Sequence, residues 1–181
     1  RVLASFGTGS GTLICKEEQR VEAPVVAGVA FNRDEAQISL SGLPNAPGIA
    51  AAVLSPVADT SIEIDMIVLA TGQSKVDLSF TVHRDDYAQA MRLVRTAAAP
   101  YIDCAITGND RVAKLSIVGV GMRSHAGVAT RFFQALASEN VPLHLVSTSE
   151  IKISVLIPET ALEASVAAVH RSFDLARPPT G

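Results

Sequence analysis

Two glycine turns offer the clearest chemistry in this chain. Asn45-Ala46-Pro47-Gly48 and Ser124-His125-Ala126-Gly127 each stand between an alternating apolar stretch and an apolar helical one. Backbone N–H groups at a helix start lack partners inside the helix, and the helix dipole strengthens their pull on an anion. Gly48 and Gly127 let a ligand approach that backbone closely, although a glycine there also serves turn geometry alone. Candidates for holding a cation stand elsewhere. Asp65 and Glu150 are carboxylates able to accept hydrogen bonds from an ammonium, and Ser149 adds a hydroxyl; Asp65 reads equally as a solvated edge carboxylate. His125 lies within the second turn, whereas His83, His144 and His170 read as surface or packing residues. Gly7-Thr8-Gly9-Ser10-Gly11 lacks the Gly-Lys-Ser/Thr ending of a phosphate-binding loop and reads as a linker. Glu17-Glu18 and Arg33-Asp34-Glu35 read as solvated turns.

Both turns belong to one repeated pattern, which sets the elements that must hold them. Gly42 to Leu54 (GLPNAPGIAAAVL) matches Gly121 to Phe133 (GMRSHAGVATRFF), with Gly48 and Gly127 79 residues apart. The same offset lays Ser61 to Met66 on Asn140 to Leu145. Gln37 to Ser41 and Lys114 to Val118 alternate and predict strands. Asn45 and Ser124 are N-cap types and Pro47 suits a first helical turn, which predicts helices over about 47–58 and 126–139. Strands are then predicted at 62–69 and 142–148 and at 76–82 and 151–157, before second helices at about 85–98 and 159–173.

Strand, helix, strand, strand, helix opens the βαββαβ ferredoxin-like plan, an antiparallel sheet with both helices on one face. Cys104 to Thr107 closes the first copy, but the second runs out of chain, and Ala23 to Phe31 is a strand without a partner in copy one. An unpaired edge is a liability, so this early strand is expected to close the second sheet. The expected fold is therefore α+β: two ferredoxin-like βαββαβ domains, the first (36–107) inserted in the second (23–31 plus 113–174), whose last strand comes from residues 25–31. Residues 1–22 read as a linker and 175–181 as a frayed tail.

Composition narrows the function classes. With 181 residues, 48% of them hydrophobic but only 4% aromatic and no Trp, the core must be built from Val, Ile, Leu and Ala. A net charge of −3 without a lysine or arginine cluster argues against nucleic acid. The two cysteines, Cys15 and Cys104, lack metal-ligand spacing and read as reduced thiols of a cytoplasmic protein. No apolar run approaches the roughly 20 residues of a membrane span, and none resembles a signal peptide. The chain opens at Arg1 rather than at methionine, which fits a fragment or a processed chain.

Three stretches carry a family resemblance. Glu22-Ala23-Pro24-Val25-Val26-Ala27-Gly28-Val29-Ala30-Phe31-Asn32-Arg33-Asp34-Glu35-Ala36, Val118-Gly119-Val120-Gly121-Met122-Arg123-Ser124-His125-Ala126-Gly127-Val128 and Ser147-Thr148-Ser149-Glu150-Ile151-Lys152-Ile153-Ser154-Val155 resemble the regulatory region of bacterial aspartokinases. The resemblance covers nearly the whole chain and implies a tandem pair of ACT domains that bind lysine, threonine or both as feedback inhibitors. Such regions occur as the C-terminal part of the kinase or as a separate small subunit, and Arg1 to Ile14 resembles the end of the kinase domain and its linker. The resemblance thus implies an allosteric amino-acid sensor in lysine, threonine and methionine biosynthesis that is not itself a kinase. ATP and Mg would belong to the kinase domain, and no cofactor or metal is expected here.

Carried across position by position, the implied effector set is Asn45, Ala46, Pro47, Gly48, Ile49 and Ala50, then Glu63, Ile64, Asp65 and Leu69. It continues with Ser124, His125, Gly127, Val128 and Ala129, then Pro142, Leu143, Ser149 and Glu150. The chain departs from threonine-sensing relatives at Asn45, where aspartate is usual, at Leu69, where they carry glutamine, and at Pro142, where asparagine is common. Leu69 and Pro142 offer no side-chain hydrogen bond, and each lost partner for a buried polar ligand group costs roughly 1–3 kcal/mol. The expectation is a lysine-responsive module with a weakened or absent threonine response. Edge-to-edge pairing of such sheets implies a homodimer, or pairing with the kinase-bearing chain. Rival readings are a stand-alone sensor of another partner, a ferredoxin-like acyl-phosphate hydrolase and an RNA-binding sheet. The hydrolase would need an arginine and an asparagine converging on a phosphate, yet Arg123 and Asn45 lie in different repeats; the RNA-binding sheet would need exposed aromatics, where these strands offer aliphatics.

Overall fold

The computed structural model describes residues 26–120 and 126–175. The linker at 1–22, Ser124, His125 and all but the first residue of the tail lie outside the described residues. Strand β1 (Val26–Pro44) leads into α1 (Ile49–Ala58), β2 (Ile64–Thr71), β3 (Lys75–His83) and α2 (Tyr87–Ala98). Then come β4 (Ala105–Gly119), α3 (Ala126–Ser138), β5 (Leu145–Thr148), β6 (Lys152–Pro158) and α4 (Leu162–Ser172). Short 3-10 turns at Arg84–Asp86 and Glu159–Ala161 lead into α2 and α4, which therefore start later than their apolar patterns predict.

The six strands pair antiparallel in the order β2-β3-β1-β4-β6-β5. Strands β1 and β4 each serve both repeats. The second half of β1 pairs with β3 on one side, while Gln37 to Ser41 pair with Asn109 to Ala105 on the other, which completes unit one. Val26 to Asn32 pair with Gly119 to Lys114 and close unit two, as the insertion requires. One correction follows: segments expected as separate strands, at 25–31 and 37–41 and at 104–107 and 114–118, fall on two long continuous ones, whose described residues are Val26–Pro44 and Ala105–Gly119. Arg33-Asp34-Glu35 is accordingly no solvated turn. It sits inside β1, where breaks in register between Asn32 and Glu35 and between Glu35 and Gln37 absorb the bend. The Asn32 side chain donates to Glu35 Oε1 at 3.1 Å and accepts from the Asp34 N–H at 3.1 Å.

Helix periodicity explains how each unit closes its core. In α2, Ala90, Val94 and Ala98 recur every four residues and are the buried positions. With Val53 and Val57 of α1 they cover Ile38, Leu40, Leu78 and Phe80 of the sheet. In unit two, Phe132 and Leu136 of α3 and Leu162 and Val169 of α4 cover Leu115, Ile117, Val155 and Ile157. Each such side chain contributes about 1.5–3 kcal/mol on burial. A third cluster, Met66, Val112, Leu145 and Leu156 with Val68 against it, joins the units. Since β2 and β5 are the outermost strands in the order, their meeting at Met66 and Leu145 means that the twisted sheet coils back on itself.

Candidate functional site

The first glycine turn is built differently from the sequence expectation. Gly48, not Asn45, is the N-cap of α1, and it adopts φ 85°, the left-handed region that glycine enters without penalty. A methyl group there would meet nothing within 4 Å, so conformation rather than crowding demands the glycine. Asn45 instead ties the turn to the β2–β3 hairpin: its N–H donates to the Ser74 carbonyl at 3.1 Å and its side-chain amide to the Gly72 carbonyl at 3.2 Å. No side chain caps α1, which leaves the first-turn N–H groups of Ala50 and Ala51 open to water or an anion. Leu69, opposite Leu78, stands exposed toward the same end of unit one.

Asp65 lies elsewhere. The β2–β3 register breaks between Asp65 and Val68, and Met66 takes φ 46° in that bulge. Asp65 Oδ1 accepts from the Met66 N–H at 2.7 Å, and Oδ2 accepts from Lys114 Nζ at 2.7 Å. The same Nζ stands 2.6 Å from Glu35 Oε1. Lys114 thus reaches from unit two to two carboxylates of unit one. Its side chain is 18% exposed and that of Glu35 5%, whereas Asp65 is 56% exposed. The Lys114 hydrogen bond holds the Asp65 carboxyl below the ordinary carboxylate range despite partial burial, with help from the Met66 N–H and from Lys152. Burial works against the Lys114 ammonium, but its bonds to Asp65 and Glu35 outweigh this and raise its pKa.

Along the sheet, Thr71 pairs with Val76 and Asp65 with Thr81, so roughly 17 Å of strand separates the glycine turn's end of unit one from Asp65. Within one chain the two therefore cannot hold the carboxylate and ammonium of the same small amino acid. Ser149 and Glu150 form the exposed β5–β6 turn, where the Ser149 N–H donates to the Lys152 carbonyl at 2.8 Å and Ser149 Oγ accepts from the Lys152 N–H at 3.1 Å. The N–H of Gly119 donates to the Ile151 carbonyl at 2.9 Å, which places the end of β4 beside that turn. Gly127 is the exposed second residue of α3. Val128 is taken up by the core and Ala129 packs against it, while Ile64 packs under the helices of unit one. Glu63, Pro142 and Leu143 are exposed ahead of their strands.

Sequence reasoning missed Lys114, Glu35 and Arg84. The repeat gave no signal for the first pair: Gln37 to Ser41 aligns with Lys114 to Val118, so Lys114 is the counterpart of Gln37, and Glu35 that of Val112, its partner in the β1–β4 ladder. Arg84 and Glu159 open the two equivalent 3-10 turns and meet each other, 3.2 Å apart. Arg84 also donates to the carbonyls of Arg33 and Val112, one in each long strand. Residues that meet their own counterparts mark the pseudo-two-fold axis between the units.

Residues 38–97 and 115–173 match the ACT domain family. The chain is 48% identical over 180 residues to an aspartate kinase of Stutzerimonas stutzeri, covering 98% of this chain and 44% of that protein. It is 40% identical over 176 residues to the aspartokinase of Helicobacter pylori, covering 94% and 43%. The ligand-free regulatory subunit of aspartate kinase from Thermus thermophilus superposes with a TM-score of 0.77 at 40% identity, covering 82% of this chain and 98% of that one. A structure of aspartokinase alpha and beta subunits gives 0.76 at 42%, covering 83% and 99%. The chain belongs to the ACT domain family, with two domains in tandem. Within it, the chain is the regulatory, ACT-only part of an aspartokinase, and it spans under half the length of the curated aspartokinases it matches.

Proposed function

We propose that this chain senses free lysine as an end product and feeds that signal back to an aspartokinase, with a weakened or absent response to threonine. The observation that carries the reading is Asp65, an ionised and largely exposed carboxylate beside the junction of the two units. Lysine differs from neutral amino acids by a second ammonium, and Asp65 is the group suited to it. The distance from Asp65 to the glycine turn of its own unit means that the rest of the effector is met by the end of unit two, where Ser149 and Glu150 lie, or by a second chain. Threonine lacks support because Leu69 and Pro142, both exposed, offer it no side-chain hydrogen bond.

The partner that reads the signal is the kinase-bearing chain or domain, with a second copy of this chain as the pairing unit, in the cytoplasm; ATP and Mg act on the kinase and not here. Regulation then requires that lysine bind one state of the assembly more tightly, and a tenfold preference corresponds to about 1.4 kcal/mol of bias. Isothermal titration of the 181-residue chain with lysine, with threonine, and with each in the presence of the other tests the reading. Lysine binding without threonine binding supports it; a chain that binds threonine and not lysine refutes it.

A further inference from the structure

We infer that Lys114 is an internal competitor for the effector's ammonium, occupying Asp65 until a free amino acid with a side-chain ammonium takes its place. The inference rests on the reading that lysine engages Asp65, and it assigns the regulation of that site. One ammonium, at 2.6 Å from Glu35 Oε1 and 2.7 Å from Asp65 Oδ2, serves two carboxylates. The two bonds are unequal in exposure: Glu35 is buried, while Asp65 is mostly open to solvent. An incoming ammonium can therefore reach Asp65 from outside, and Lys114 keeps a partner in Glu35 when it lets go. Neither carboxylate is left unpaired, and no lone buried charge is created, which is the costly outcome in breaking such pairs.

The exchange replaces one ammonium by another, so it favours an amino acid whose side chain ends in an ammonium over a neutral one such as threonine. Its place also makes it consequential. Asp65 sits at the break in β2–β3 pairing, and the next residue, Met66, is buried in the cluster that joins the two units. Release of Asp65 from Lys114 therefore loosens β2 from unit two at the junction itself.

L-lysine is titrated calorimetrically into the 181-residue chain and into Lys114→Met, Asp65→Asn and the double variant Glu35→Gln with Lys114→Met. Removing the competitor is expected to tighten lysine binding roughly two- to fivefold, the range for a partly exposed ion pair, and Asp65→Asn to abolish it. The double variant leaves no lone buried carboxylate, so it carries the test if Lys114→Met fails to fold. Binding by the unaltered chain with no gain, or with a loss, in the folded variants overturns the competition and leaves lysine sensing standing. Binding by the variants alone supports the competition and refutes lysine sensing by the unaltered chain. Absence of binding in all of them overturns both.

Discussion

Replacing Arg84 by alanine tests whether the pseudo-two-fold axis holds the two units together. Its guanidinium makes a forked contact with Glu159, Nη2 to Oε2 at 3.2 Å and Nη1 to Oε1 at 3.4 Å, and also donates to the Val112 carbonyl at 3.3 Å and to the Arg33 carbonyl. Both side chains are 31% exposed, so the charges are only partly screened by water. Hydrogen bonds to charged groups contribute about 1.5–3 kcal/mol each when buried. Allowing for partial exposure and for bonds that share one guanidinium, Arg84→Ala is expected to cost about 2–3 kcal/mol. The control is Arg33→Ala. Arg33 pairs with Glu163, whose side chain is 82% exposed, and such a pair is worth under about 1 kcal/mol. Urea unfolding followed by circular dichroism measures both variants, and a double-mutant cycle with Glu159→Gln is expected to give a coupling of about 1–2 kcal/mol. Arg84→Lys should recover little, since a lysine lacks the planar fork that reaches a carboxylate and two carbonyls at once. An Arg84→Ala variant as stable as Arg33→Ala, or a coupling near zero, refutes the reasoning.

The two turn glycines separate in the same assay: Gly48→Ala forces a methyl-bearing residue to φ 85° and is expected to cost about 1–2 kcal/mol, whereas Gly127→Ala, in a helix with open space around it, is expected to be neutral or to stabilise by about 0.5–1 kcal/mol. The pH dependence of stability has two limbs with opposite signs. Asp65, lowered from 3.8, contributes stability that is present above that value and lost as pH falls through its folded pKa; Lys114, raised from 10.5, contributes stability present below that value and lost as pH rises through its folded pKa. Unfolding free energies measured across pH should therefore show a shallower acid limb in Asp65→Asn and a shallower alkaline limb in Lys114→Met.

The repeat made the fold legible because the apolar spacing of Gly42 to Met66 and Gly121 to Leu145 is nearly the same, and a missing strand in copy two had to come from somewhere. The continuity of β1 and β4 was not legible. Asn32 to Glu35 interrupt the alternation with polar residues at a bulge, and a bulge looks like a turn until its neighbours are known. Glu35 shows the limit most clearly: its charge predicts exposure, and only the arrival of Lys114 from the other unit makes its burial tolerable. Gly48 displaced Asn45 as the cap for a similar reason. The Asn45 side chain found a carbonyl in the β2–β3 hairpin, a partner invisible to local pattern.

A repeat folded around a two-fold axis faces a difficulty at every position that meets its own counterpart. Two identical charged residues would be placed in contact, and like charges in a partly buried site are destabilising. At the axis this chain has diverged to opposite charges where Arg84 meets Glu159, while Glu35 faces its own counterpart Val112 and takes its cation from Lys114, the counterpart of Gln37. That divergence turns a repulsive contact into a clamp, but it also ends the equivalence of the two units. The counterpart of Asp65 at the 79-residue offset is His144, and in the preceding strands, which align 77 residues apart, the counterparts of Glu35 and Lys114 are the uncharged Val112 and Gln37. An ammonium approaching unit one therefore finds two carboxylates and a cation that can be displaced, whereas the same approach to unit two finds an imidazole and no equivalent pair. The asymmetry that stabilises the junction thus also confines the proposed lysine exchange to one of the two repeats.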